Sequence, residues 1–165
     1  MIRDHWPGFT PVLLTISEDN DTAIRTSGLE IVVNFLRKCP AKKLESTGIG
    51  KVFEDAILPS LLYLPSLTPE AESVKVMRPA YEALLVLAQK HADGSNLVRR
   101  TLLDKILREG LFAAYEHASG YLEVVKTLMN VATTLVDTLG IYSVKHLPVS
   151  MVGTKGTRDL ADIRA

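Results

Sequence analysis

Residues Thr22–Lys38 read TAIRTSGLEIVVNFLRK, and this stretch decides the fold. Ile24, Gly28, Ile31, Val32, Phe35 and Leu36 recur at three- and four-residue steps, and Cys39 extends the series. That spacing lays one apolar stripe along an α-helix. Asp21 stands at the N-cap position, Arg37 and Lys38 sit at the negative end of the helix dipole, and Pro40 closes the helix. A lone helix cannot bury its own stripe, so a partner element is required.

The same pattern continues on both sides. Upstream, Pro7–Ile16 predicts a short helix carrying Phe9, Val12, Leu13 and Ile16, with Pro11 moving its start toward that residue. The run Ser17-Glu18-Asp19-Asn20-Asp21 breaks the chain before the second helix. Downstream, Lys42–Ser46 reads as one turn. Ile49–Leu64 then reads as a third helix, with Val52, Phe53 and Ile57 on its stripe and a break near Leu58 because of Pro59. Thr68 is the natural N-cap of a fourth helix with Pro69 at its first position and Glu70 and Glu72 in its first turn; it extends to His91 and is bent by Pro79. A fifth helix covers Asn96–Glu109, is interrupted at Gly110 and resumes at an angle over Leu111–His117. A sixth covers Tyr121–Thr138, with Gly140 as a left-handed C′ residue. Ile141–Leu147 opens a seventh that Pro148 limits, and 148–165 is expected to be an irregular or frayed tail behind a repeat segment of residues 1–147.

Six helices in consecutive pairs predict an all-α chain: a HEAT/armadillo-like α-solenoid of about three antiparallel helix pairs, with degenerate repeat lengths. The 24 leucines and the 6% aromatic content favour helix over strand, and no stretch alternates with period two. At 47% apolar residues, the 165-residue chain can bury enough surface to fold.

Composition also excludes functions. Nineteen basic residues balance nineteen acidic ones, which argues against a broad nucleic-acid-binding face. The single cysteine, Cys39, excludes an internal disulfide and a cysteine-based zinc site, and its place on the apolar stripe marks it as a small core filler. No apolar run reaches the roughly 20 residues that span a bilayer, so no membrane is expected. His5, His91, His117 and His146 share no metal-ligand spacing. Glu54 and Asp55 are neighbours on a helix and point apart, which is no catalytic dyad. Residues 153–157, GTKGT, lack the phosphate-loop spacing and a preceding strand. No cofactor and no enzymatic activity are expected. Arg99, Arg100, Lys105 and Arg108 give one helix a basic bias, either a solvated face or a contact for an acidic partner. Tyr142, Lys145 and His146 mark the edge where the apolar pattern ends, a second candidate partner surface.

Two resemblances add to this reading. The segment LLTISEDNDTAIRTSG, residues 13–28, resembles a HEAT repeat: an apolar helix, an Asp-rich turn, then an apolar-Arg pair and a small residue. The resemblance implies that Asp19, Asp21 and Arg25 make polar contacts from turn to helix and from repeat to repeat. Further on, FEDAILPSLLYLPSLTPE (53–70), PAYEAL (79–84), LREG (107–110) and LGIYSVKHL (139–147) look like the Tel2-interacting protein 2 family, particularly its fungal members. The order of these motifs fits as well, over roughly residues 10–147. After Leu147 the family continues with apolar helices, whereas this chain turns polar, and a fragment or truncated gene product is the expectation. The resemblance implies a non-catalytic scaffold subunit of the Tel2–Tti1–Tti2 (TTT) assembly. Its partners would be Tel2-like and Tti1-like helical-repeat subunits and, indirectly, the Hsp90 machinery and the phosphatidylinositol-3-kinase-related kinases, in the cytoplasm and nucleus. The alternative is a generic helical-repeat adaptor of importin or phosphatase-scaffold kind.

Overall fold

A computed structural model of the chain describes residues 6–66, 68–91 and 96–140. Helix α1 (Trp6–Ser17) leads into α2 (Thr22–Lys38), and the short α3 (Ala41–Thr47) connects α2 to α4 (Ile49–Ile57). A 3₁₀ turn over Leu58–Leu62 ends α4, and the long α5 (Glu70–Lys90) follows. Helix α6 (Asn96–Lys105) passes through a π-helical stretch, Ile106–Phe112, into α7 (Ala113–Ala118), and α8 (Leu122–Leu139) comes last. Among the described residues there is no strand, and the molecule is an all-α helical-repeat fold.

The helices stack as three hairpins. Helices α1 and α2 pack together, α4 packs on α5, and the α6–α7 rod packs on α8. Across hairpins, α2 lies on α5 and α5 on α8, while α1 touches α4 and the 3₁₀ turn touches the π stretch and α7. Two layers result: α1, α4 and the α6–α7 rod in one, and α2, α5 and α8 in the other. The central α5 is buried along most of its circumference, with Val76, Met77, Ala80, Tyr81, Leu84 and Leu87 all enclosed. Phe53 of α4 tilts against Phe35 of α2 with ring centroids 5.7 Å apart, closing the seam between the first two hairpins.

Several sequence expectations require correction. Pro11 lies inside α1 rather than at its start; the N–H it lacks would have faced Pro7, so the lost bond falls at the end of the helix. Pro69, not Thr68, occupies the N-cap of α5: its carbonyl accepts the first helical bonds, from Glu72 and Ser73 N–H at 2.9 Å each. Gly110 does not interrupt the fifth helix. The chain absorbs it in the π stretch, because a Cβ there would stand 2.6 Å from Leu61 Cδ1 and 3.3 Å from the Tyr81 hydroxyl. The glycine therefore serves close approach of two hairpins. Gly140 has a positive φ of 55°, but its ψ of −130° takes it outside the left-handed helical region. Finally, Phe9, Val12, Ile24, Ile31 and Val52, placed by periodicity on buried stripes, are exposed. Several of them lie on the first hairpin, where no further described helix covers them. The expected boundary after residue 147 falls outside the described residues.

Candidate functional site

Residues singled out in the turn after α1 build a polar bridge. Asp19 Oδ1 accepts from Asp21 N–H at 2.8 Å, tightening the turn. Asp21 Oδ1 accepts from Ala23 and Ile24 N–H at 2.8 and 3.0 Å, which caps α2. Both aspartates thus bond within the first hairpin. Arg25 crosses to the second. Its guanidinium donates through Nε to the Asp19 carbonyl and through Nη2 to the Glu18 carbonyl, each at 2.7 Å, and through Nη1 to Ser60 Oγ at 3.1 Å. It also lies 4.8 Å from the Tyr63 ring centroid. Arg25 is only 8% exposed and Ser60 is fully buried. The planar five-donor fork makes this possible, since it can address three acceptors and an aromatic face at once. Ser60 and Tyr63 carry no signal in the sequence that pairs them with Arg25; only the packing of hairpins brings them together.

A second tie joins the starts of α2, α5 and α8, which share one edge of the slab. Glu72 Oε2 accepts from Thr22 Oγ1 at 2.8 Å, and Glu70 Oε1 accepts from Glu123 N–H at 2.8 Å. The sequence marked both glutamates as first-turn acids of α5; the structure extends them to the neighbouring helices on either side. Glu123 itself bonds Lys126 at 2.6 Å, and that hydrogen bond holds its carboxyl below the usual glutamate range.

On the other layer, Lys105 reaches Glu54 at 3.2 Å, and Lys51 binds both Glu54 and Asp55 at 2.7 and 2.9 Å. Arg108 pairs with Asp104 at 2.7 Å. Lys105 and Arg108, both part of the basic bias, thus find acidic partners within the chain. Arg99 and Arg100 sit half-buried on α6, and Arg99 Nε has no hydrogen-bond partner among the described residues. Tyr142, Lys145 and His146 lie outside the described residues, as does the GTKGT segment.

Nothing in the described part converges into a reaction centre. No group of three or more His, Cys, Asp or Glu residues could hold a metal there. His91 lies 3.8 Å from Glu45, and Cys39 is buried, which pushes its thiol up. An open groove between α2, α5 and α8 is lined by Arg37, Glu82, Leu85, Gln89 and Thr134, and its charges answer one another: Arg37 pairs with Glu82, and Lys90 donates to the Arg37 carbonyl at 2.9 Å. No described helix is long and apolar enough to cross a membrane.

Val52 and Leu62 of the central hairpin are exposed, and the other large exposed apolar residues lie on the two outer hairpins. The outer hairpins leave Phe9 and Val12 of α1 and Ile24 and Ile31 of α2 open at one end. At the other, α8 exposes Leu122 (65%), Met129 (47%) and Val136 (51%), with Val125 and Ala132 half-buried between them. A helical array that exposes apolar side chains on its outer hairpins is suited to contact with other polypeptides. No curated protein and no solved structure matched the chain. A family model described as the Tti2 family matches residues 1–153, and a match over so much of a chain with this stacked-hairpin architecture establishes that the protein belongs to the Tti2 family.

Proposed function

We propose that this chain is a non-catalytic scaffold subunit of the Tel2–Tti1–Tti2 assembly, working with the Hsp90 system in the maturation and stability of phosphatidylinositol-3-kinase-related kinases. Its direct partners are Tel2-like and Tti1-like helical-repeat subunits, and it acts in the cytoplasm and nucleus. The observation that carries this reading is the family match over residues 1–153. It is supported by a slab held by charge pairs between helices, such as Arg37 with Glu82 and Lys105 with Glu54, that leaves apolar residues exposed on its outer hairpins. The proposal takes residues 1–147 as the repeat segment, Asp19, Asp21 and Arg25 as the polar group that links turn to helix and, through Arg25, repeat to repeat, and Arg99, Arg100, Tyr142, Lys145 and His146 as partner-facing residues.

Affinity purification of the tagged chain from cells of its source tests the reading. Tti1-like and Tel2-like subunits are expected in stoichiometric amounts and chaperone components in lesser amounts. Recovery of nuclear-transport or phosphatase subunits in their place would establish the generic-adaptor alternative.

A further inference from the structure

We infer that the cleft between the α1–α2 turn, the 3₁₀ turn and the start of α5 docks an extended segment of a partner polypeptide, one that presents an arginine or lysine beside proline or other apolar side chains. The cleft holds about 540 Å³, which is room for a few side chains. Pro59, Leu62, Tyr63 and Pro69 supply its apolar lining. Leu62 is 45% exposed there although it belongs to the central hairpin, which has a neighbouring hairpin on each side. Proline rings and an aromatic side chain around an open cleft are the kind of surface on which extended, proline-containing segments dock. The polar lining sets the charge of the occupant. Glu72 Oε2 accepts from Thr22 Oγ1 at 2.8 Å, and among the described residues this carboxylate has no cationic partner. The same is true of Glu18, Asp19, Asp21 and Glu70 along that edge. Arg25, beside Tyr63, is turned inward, and its donors are taken by the Glu18 and Asp19 carbonyls and by Ser60. Lys75 and Arg78 stand further along α5, and Arg78 acts on Glu123 at the start of α8. The cleft therefore joins an apolar floor to unneutralised negative charge, which repels phosphate groups and complements a cationic side chain.

The inference is independent of the assignment to the Tel2–Tti1–Tti2 assembly, because its test uses the isolated full chain and synthetic peptides. The chain is panned against random dodecapeptides displayed on phage, and the best binder is made as a fluorescein-labelled peptide for anisotropy titration. Selected sequences are expected to place an arginine or lysine next to proline or another apolar residue. Glu72→Gln keeps an acceptor for Thr22 but removes the charge, and it is expected to weaken binding about tenfold, as loss of a charged hydrogen-bond partner does. Replacing the basic residue of the peptide by a neutral isostere should cost the same factor on the parent chain and almost nothing on Glu72→Gln. Leu62→Ser should weaken binding too, whereas Asp137→Asn at the far end of α8 leaves it unchanged. A selected set without basic residues, or affinity unchanged by Glu72→Gln, overturns the proposal. So does a failure to select any peptide, and so does self-association in sedimentation that Leu62→Ser abolishes, which identifies a second copy as the occupant. If Leu62→Ser unfolds the chain, the Glu72→Gln comparison decides alone.

Discussion

At the scale of single residues, two positions show how close packing sets stability. A Cβ on Gly28 would meet the main-chain carbon of Ile16 at 2.7 Å, and main chain cannot yield as a side chain can. Gly28→Ala removes a helix-propensity deficit of about 1 kcal/mol, yet the overpacking costs about 1–3 kcal/mol. A net loss of stability is expected in urea titration. Gly110→Ala should cost less, since its closest contact is the movable tip of Leu61. Equal or reversed midpoints would contradict this ordering. Tyr81 presents a different case. Its hydroxyl is buried without a hydrogen-bond partner among the described residues, and burial pushes its ionisation up from the ordinary value of 10.0. The folded chain therefore keeps the proton where the unfolded chain releases it. Stability is unaffected below that ordinary value and falls as pH rises above it. Tyr81→Phe is expected to lie within about 1 kcal/mol of the parent at neutral pH and to lose stability less steeply in alkali. Identical alkaline slopes would show that the phenol does not contribute.

Between elements, the polar ties have few members. Arg25 joins the α1–α2 turn to Ser60 and Tyr63 of the second hairpin, and the Tyr63 hydroxyl adds a longer bond to the Asn20 carbonyl at 3.5 Å. Lysine keeps the charge but cannot address three acceptors and a ring together. Arg25→Lys is expected to cost about 2–4 kcal/mol and Ser60→Ala about 1 kcal/mol, both by chemical denaturation. An Arg25→Lys protein as stable as the parent would mean that the bridge is ornamental. Glu70→Ala removes the acceptor at the start of α8. Loss of such a cap costs about 1 kcal/mol. Amide exchange should quicken at Glu123 and along the first turn of α8 while α2 is unchanged.

For the whole molecule, α5 has neighbouring hairpins on both sides, and among the described residues the outer hairpins each have one. Opening α5 requires separating it from two hairpins, whereas α1 and α8 can fray from one side. Hydrogen exchange is therefore expected to be slowest in the α5 segment Val76–Leu87 and fastest in α1. A flat exchange profile would indicate that the three hairpins unfold as one unit. The Glu70 and Glu72 ties reinforce this, since one turn of α5 holds the starts of both neighbouring helices.

The sequence by itself determined the helical class, the limits of α2, the position of the break at Leu58 and the capping role of Asp21. All of these depend on local chemistry: three- and four-residue periodicity, proline geometry and a short acceptor side chain beside free N–H groups. Periodicity also named the apolar stripes, but it could not say which flank of a stripe has a neighbour. Ile24 and Leu29 look alike along the chain, and one is 46% exposed while the other is fully buried. The tertiary structure made that choice by placing α5 at the centre. It alone turned Gly110 from an apparent helix breaker into a contact point, and brought Ser60 to Arg25 across 35 residues of chain. Pairing of residues that far apart depends on which helix faces which, and that is fixed by the packing of whole hairpins.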